Sequence, residues 1–382
     1  MNRIKTHSAA ISSNFDLIGQ PGSRLQLDTP CLLIDKPVLE ANIARAAEMV
    51  TAAGKEFSPH LKAHKTPQIA ALQRRAGASG FCVASIGETE VFARTSDAPI
   101  TITSSFITDR PVGRVAELGG RSPALTVVVD NPIVLRKLST LDTALSVLID
   151  IDMGRGRSAC REDAEAVHLA RKIEAAPNLR LAGLQCYAGQ LSHMNDYAER
   201  KAQAAKADKR ATSFLNAVQS VAQRPLRCTG GSTGASQFDL KSSALTDLQW
   251  GSYALMDEEY AAVEDNCSGG PLPFQPALRV ATRVISAGQN GHVITDAGDK
   301  RFASKYGATP RVVAPERYCN ATFKPVSDEH GELRAEKLPS LGQMIELIPP
   351  HCDPTVNLFD ALHVVDGDKL VDIWPVAARG VY

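Results

Sequence analysis

The sequence predicts an α/β protein, a (β/α)8 barrel of the TIM type followed by a β-rich C-terminal domain. Three observations lead there. Short β-rich runs alternate with helical patterns through the first two-thirds of the chain, the mark of parallel βαβ units. These runs are almost continuously apolar, as strands are when both faces of their sheet are covered. Beyond Pro271 the helical patterns give way to strand pairs flanking tight-turn dipeptides.

The elements follow in order. The segment 1–25 shows no regular pattern, and 1–28 reads as an N-terminal extension. An opening strand, Cys31-Leu32-Leu33-Ile34-Asp35, precedes the barrel pattern and is expected to pair with the β domain. Eight barrel strands are predicted at 57–62, 80–85, 100–105, 125–130, 145–150, 181–187, 226–231 and 248–254. Helical segments lie between them, among them 37–53, 67–75, 87–94, 162–175 and the longest, 195–223. Eight units within 29–265 suit a closed barrel, for which about 250 residues is typical. An open doubly wound sheet shares the pattern, because sequence does not show closure. Over 266–382, strands flank Asn290-Gly291 and Asp366-Gly367, two strong hairpin signals.

Composition narrows the function. With 44% hydrophobic and 22% charged residues and zero net charge, the chain has no footprint for nucleic acid or an acidic membrane. No apolar run approaches the length of a membrane span, and the first 22 residues lack a signal-peptide core. Eight scattered cysteines without a Cys-x-x-Cys pair read as reduced core residues of a cytoplasmic protein.

Chemistry gathers where the barrel strands end: Lys62, Ser85, Asp130, Asp152, Tyr187, Gly230-Gly231 and Ser252-Tyr253. A barrel builds its active site at that end. In Pro59-His60-Leu61-Lys62-Ala63-His64-Lys65-Thr66-Pro67, a lysine closes the first strand, and Thr66-Pro67 reads as an N-cap with proline at the first helical position. Such a lysine can form a Schiff base if burial or nearby cations keep its amine neutral; His60, His64 and Lys65 are the candidates for that field. Gly230-Gly231-Ser232-Thr233-Gly234 after strand seven and Trp250-Gly251-Ser252-Tyr253 at strand eight present small residues and hydroxyls suited to a phosphate. Together with the lysine they suggest pyridoxal 5′-phosphate. His351-Cys352-Asp353 follows Pro349-Pro350, so an extended backbone is expected. His351 and Asp353 would then point to one side and share a divalent ion of the Mn²⁺ or Mg²⁺ kind, with Cys352 facing away.

These motifs, with the tail Trp374-Pro375-Val376, resemble the D-threonine aldolases and D-3-hydroxyaspartate aldolases, and more remotely the D-serine dehydratases. All are fold-type III pyridoxal-phosphate enzymes, the alanine-racemase-like class. The resemblance runs from about Asp28 to Tyr382. It implies that Lys62 carries the cofactor, with Lys65 accessory, and that Ser232, Thr233, Gly234, Gly251 and Ser252 contact its phosphate, with Tyr253 alongside. It implies cofactor or substrate contact for Arg157, in the turn Asp152-Met153-Gly154-Arg155-Gly156-Arg157. Tyr187 would pack near the cofactor, His193 would be the catalytic base, and His351 and Asp353 would bind the metal. The implied enzyme is a homodimeric lyase that cleaves β-hydroxy-D-amino acids to glycine and an aldehyde. A D-serine or 3-hydroxy-D-aspartate dehydratase is the alternative; it carries His-x-Cys where this chain has His351 and Asp353. A non-catalytic pyridoxal-phosphate-binding protein is the second, and would have no reason to keep His193, His351 and Asp353 together. In one departure, Ser58 stands where the family commonly has an arginine before Pro-His.

Overall fold

In the computed structural model, residues 12–121, 124–266, 270–288 and 290–382 are described. Eight parallel strands form the barrel: β2 (Glu56–Phe57), β3 (Phe81–Val83), β4 (Ile100–Ile102), β5 (Leu125–Val129), β6 (Leu145–Asp150), β7 (Leu179–Cys186), β8 (Arg227–Gly230) and β9 (Asp247–Leu248). The order β2-β9-β8-β7-β6-β5-β4-β3 is closed by a parallel bridge between His60 and Cys82, supported by Cys82 N–H donating to Pro59 O at 3.0 Å. The barrel is therefore shut and the open-sheet alternative falls. Strand β5, Leu-Thr-Val-Val-Val, is buried along its whole length. Each Val or Leu so buried contributes roughly 1.5–3 kcal/mol, which is why such apolar runs settle between a barrel core and a helical coat.

The coat helices start where the sequence supplies caps. Asn131 accepts N–H bonds from Ile133 and Val134 at the head of Pro132–Ser139. Asp196 accepts from Glu199 N–H and begins the long helix Tyr197–Ala222. Pro67 occupies the first turn of Pro67–Arg75, as expected, but Thr66 does not cap it; its hydroxyl donates to His64 O at 2.7 Å.

The second sheet contains β1 (Cys31–Asp35), β10 (Leu278–Ser286), β11 (Val293–Thr295), β12 (Arg311–Ala314), β13 (Thr322–Pro325), β14 (Gly331–Arg334), β15 (Met344–Ile348), β16 (Ala361–Asp366) and β17 (Lys369–Pro375). Both expected hairpins form, β10 with β11 and β16 with β17. The opening strand β1 lies inside this sheet, antiparallel to β10 and parallel to β16. The chain thus starts in the β sheet, makes the barrel, and returns. Two short 3-10 turns, Ser13–Leu17 and Ser23–Gln26, form where no regular element was expected.

The described cysteines are free, and all but Cys319 are buried; Cys267 lies outside the described residues. Among the described residues, no helix is long and apolar enough to cross a membrane.

Candidate active site

A cavity of about 190 Å³ opens at the strand ends of the barrel, lined by residues from both halves of the chain. Of the site residues expected from sequence, Lys62, Arg157, Tyr187, His193, Ser232, Thr233, Gly251, Ser252, His351 and Asp353 line it. Gly234 and Tyr253 do not.

Lys62 does not end a strand. Strand β2 stops at Phe57, and Lys62 lies in the 3-10 turn Leu61–Ala63. The His60 ring caps that turn, accepting Lys62 N–H at 3.4 Å through Nδ1, while its Nε2 meets Thr103 Oγ1 at 3.0 Å. Burial first, then the Lys62 charge, drives His60 well below the ordinary imidazole range, so it is neutral. Lys65 turns away and pairs with Glu88 at 3.2 Å. Burial takes His64 down to about 4, so the field expected from His60, His64 and Lys65 is absent. Burial does pull the Lys62 ammonium down, and Arg157 is the nearby cation that lowers it further, but Tyr187 and Asp353 outweigh them and the net direction is upward.

Tyr187 follows β7, and its ring lies 5.7 Å from Lys62 Nζ and 5.6 Å from the Arg157 guanidinium. Burial would raise its phenol, but Lys62, then Ser192 and Arg155, lower it overall. The turn that presents both arginines is built by Asp152, whose Oδ1 accepts N–H bonds from Gly154, Arg155 and Gly156, each at 3.0 Å. Arg155 lines the cavity beside Arg157, which the sequence alone did not indicate.

Ser232 and Thr233 follow β8. Their hydroxyls, with Gln249 Nε2, are buried and have no hydrogen-bond partner among the described residues. Buried polar atoms are rarely left so, and three at one end of a cavity point to a missing acceptor-rich ligand. The loop is held by Asp239, whose Oδ2 accepts Ser232 N–H at 2.8 Å and Trp250 Nε1–H at 2.9 Å. Burial pushes the Asp239 carboxyl up to about 7, and those two bonds only partly oppose it. Gly234 serves packing: a Cβ there would lie 2.0 Å from Ser192 O. At the other loop, a Cβ on Gly251 would lie 2.9 Å from His60 O. The Tyr253 side chain is turned into the core, its hydroxyl accepting from Gln73 Nε2 at 3.0 Å. That corrects any side-chain contact expected for it.

Ser58 is also accounted for. Its hydroxyl donates to Asp247 Oδ2 at 3.1 Å, and Arg227 from β8 approaches the same carboxylate at 3.6 Å.

The histidines form the remaining wall. His193 ends the 3-10 turn Gly189–His193, its ring 4.5 Å from Tyr260, 4.1 Å from Tyr306 and 5.4 Å from His351. Burial first, then the charges of His351 and Lys305, takes His193 down to about 4, so it is neutral at pH 7. His351 is itself extended, as expected, but the extended segment stops there and does not run on through Asp353. Pro349-Pro350 ends the strand region, but Cys352–Val356 is a short helix with His351 as its N-cap residue. His351 Nδ1 meets Asp257 Oδ2 at 2.9 Å, which leaves Nε2 as the free nitrogen. Burial lowers His351, but the Asp257 hydrogen bond, Asp353 and Glu259 reverse the direction. Asp353 accepts from Ser252 Oγ at 3.0 Å, and Lys62 and His351 hold its carboxyl below the usual range against burial. Cys352 does not face away from the acids: its thiol donates to Asp353 Oδ1 at 3.3 Å, and burial raises it far above the ordinary thiol range.

Two sets of potential metal donors converge here, His193–Glu259–His351 and Asp257–His351–Cys352. Imidazole and carboxylate donors suit a divalent ion, and the protonated thiol does not. Asp257 and Glu259 escaped the sequence reading. Their signal was an acidic cluster, Asp257-Glu258-Glu259, just past the last barrel strand. Lys305 and Tyr306, which like His351 and Asp353 reach the cavity from the β domain, left none.

The alanine racemase N-terminal domain model matches residues 34–258, and a serine dehydratase domain model matches residues 277–365. The chain is 34% identical to a D-threonine aldolase from Arthrobacter sp. over 94% of this chain and 95% of that one. It is 31% identical to a 3-hydroxy-D-aspartate aldolase from Paracoccus denitrificans (strain Pd 1222), over 98% of each. The chain belongs to this aldolase family. The crystal structure of D-threonine aldolase from Filomicrobium marinum superposes with a TM-score of 0.87 at 32% identity, covering 93% of this chain and 96% of that one. The fold is the alanine-racemase-like one, a barrel plus an antiparallel β domain, and the family is of the fold-type III pyridoxal-phosphate type.

The cavity fits that cofactor. The unpartnered Ser232, Thr233 and Gln249 groups would hold its phosphate beside Ser252 and Gly251, and Lys62 would hold its aldehyde carbon. Four cations, Lys62, Arg155, Arg157 and Lys305, line the cavity, and no side-chain hydrogen bond or ion pair is found for them among the described residues.

Proposed function

We propose that this chain is a metal-dependent pyridoxal-phosphate lyase that cleaves the Cα–Cβ bond of β-hydroxy-D-amino acids of the D-threonine, D-phenylserine or D-3-hydroxyaspartate type, giving glycine and an aldehyde. One observation carries the reading. A neutral, partly buried histidine, a second histidine with its Nδ1 already committed, and a carboxylate share one cavity with the lysine and the phosphate-type cradle.

Pyridoxal phosphate, when bound, supplies an electron sink for the bond that breaks. A divalent ion of the Mn²⁺ or Mg²⁺ kind, when bound, supplies Lewis acidity at the substrate hydroxyl. His351, through Nε2, and Asp353 are the proposed ligands. The protein's own groups do the rest. His193 is the base that takes the hydroxyl proton; its depressed pKa keeps it unprotonated at pH 7. Tyr260 and Tyr306 fix its ring and shield it from water. The unpaired arginines attract and orient the substrate carboxylate. The chain is further proposed to work as a homodimer, which sedimentation checks directly.

The test uses purified protein stripped with chelator and resupplied with Mn²⁺ or Mg²⁺. D-Threonine, D-phenylserine and D-3-hydroxyaspartate are assayed for glycine, aldehyde, 2-oxo acid and ammonia. Metal-dependent glycine with matching aldehyde supports the aldolase. Oxo acid and ammonia without glycine would transfer the assignment to the dehydratase, and no product from any of the three would leave a cofactor-binding protein.

A further inference from the structure

The two oxygens of Glu259 are used differently. Oε1 accepts the N–H groups of Lys305 and Tyr306, both at 2.8 Å, with Ser304 Oγ at 3.4 Å. It thereby anchors the β-domain loop that carries Tyr306 onto the His193 ring. Oε2 is buried and has no hydrogen-bond partner among the described residues. It lies 3.4 Å from His351 Nδ1 and 4.0 Å from His193 Nδ1. Asp257 already takes His351 Nδ1. His193 Nδ1 is, like Glu259 Oε2, buried and without a hydrogen-bond partner among the described residues.

Among the described residues, an acceptor and a nitrogen without hydrogen-bond partners therefore lie 4.0 Å apart, about 1 Å beyond hydrogen-bond length, so the contact needs a small closing movement. Catalytic contacts in ligand-free sites are often long and tighten when substrate binds. We propose that Glu259 is the positioning residue of His193: Oε2 accepts the His193 Nδ1–H, fixes that tautomer, and leaves Nε2 as the nitrogen that takes the proton. This rests on the assignment of His193 as the base. The arrangement is a base oriented by a third group, in the manner of a nucleophile–base–acid triad, but serving a proton transfer from substrate. It also ties the base to the loop, since one carboxylate holds both.

The direct test is nitrogen-15 NMR of the cofactor-loaded wild type, with the His193 signals assigned by their loss in His193→Ala. The expected result is a neutral imidazole protonated at Nδ1. A neutral imidazole protonated at Nε2 would overturn the proposal, and this arm needs no Glu259 variant to fold. Glu259→Gln is the informative substitution. Its single acceptor oxygen can hold the loop or the imidazole, but not both. The expected outcome is a fall in kcat of tenfold or more with an unchanged cofactor absorbance and a shifted His193 tautomer. Were Glu259 only a loop anchor, KM would rise while kcat stayed within twofold and the tautomer held, and the proposal would fail. If the wild type itself cleaves no β-hydroxy-D-amino acid, the functional assignment fails separately, and the tautomer still decides the role of Glu259.

Discussion

Asp239→Asn should stabilise the protein, and increasingly so as pH rises. The carboxyl is buried behind the Ser232 loop and is pushed up to about 7 from an ordinary value of 3.8. Its folded-state pKa lies above its unfolded one, so between those values the folded state holds a proton that the unfolded state has released. Stability falls as pH climbs through that window, and the loss is complete above about pH 7. Two pH units separate 5 from 7, at about 1.36 kcal/mol each, so about 3 kcal/mol should disappear over that interval from this group alone. Asparagine has no charge to bury, and its oxygen can still accept both Ser232 N–H and Trp250 Nε1–H, which converge on one oxygen in the wild type. Asp239→Ala leaves both donors unpaired, at roughly 1–3 kcal/mol each, and should lose stability at every pH. The assay is urea denaturation of the cofactor-loaded proteins at pH 5 and pH 8, read as the difference from wild type so that all other titrating groups cancel. A constant gap between wild type and Asp239→Asn across that range would refute the argument. So would an asparagine variant as unstable as the alanine one.

Three further outcomes are expected. Lys62→Ala should abolish both turnover and the visible absorbance of bound cofactor, whereas Lys65→Ala, whose amine faces Glu88, should keep the absorbance. Gly234→Ala would set a Cβ 2.0 Å from Ser192 O, a backbone atom that cannot swing aside; overpacking of this kind costs about 1–3 kcal/mol, read as a lowered melting temperature with weaker cofactor binding by fluorescence titration. Asp257→Ala removes the acceptor of His351 Nδ1 and should weaken Mn²⁺ binding by roughly 10–100-fold in calorimetry; unchanged affinity would place the metal away from His351.

Much of the architecture was legible because it rests on local signals. Six of the eight barrel strands lie within or largely over the expected runs, while β2 and β9 share only Phe57 and Leu248 with the strands expected at 57–62 and 248–254, and the hairpins form around Asn290-Gly291 and Asp366-Gly367. Even the membership of β1 in the second sheet followed from its place ahead of the barrel pattern. What failed depended on tertiary context. Lys62 reads as a strand end, yet His60 caps a 3-10 turn there, a bond invisible to periodicity. His351 and Asp353 read as extended after two prolines, but a helix begins at Cys352, so the two do not share a side through strand alternation. Tyr253 reads as a cofactor neighbour because it adjoins Ser252, but it packs with Phe57 and Phe274 in the core. Glu259 and Lys305 come from regions 46 residues apart, and only the folded chain sets them beside His193.

The most direct test of the proposed chemistry follows the hydrogen on Cα. D-Threonine carrying deuterium at Cα is incubated with the metal-loaded enzyme, and products are analysed by mass spectrometry at low conversion. Cleavage of the Cα–Cβ bond leaves the Cα–D bond intact, so glycine should retain the deuterium and gain one hydrogen from solvent. Deuterium released to water, with 2-oxo acid in place of glycine, would show that the Cα–H bond is the one that breaks and would contradict the aldolase assignment.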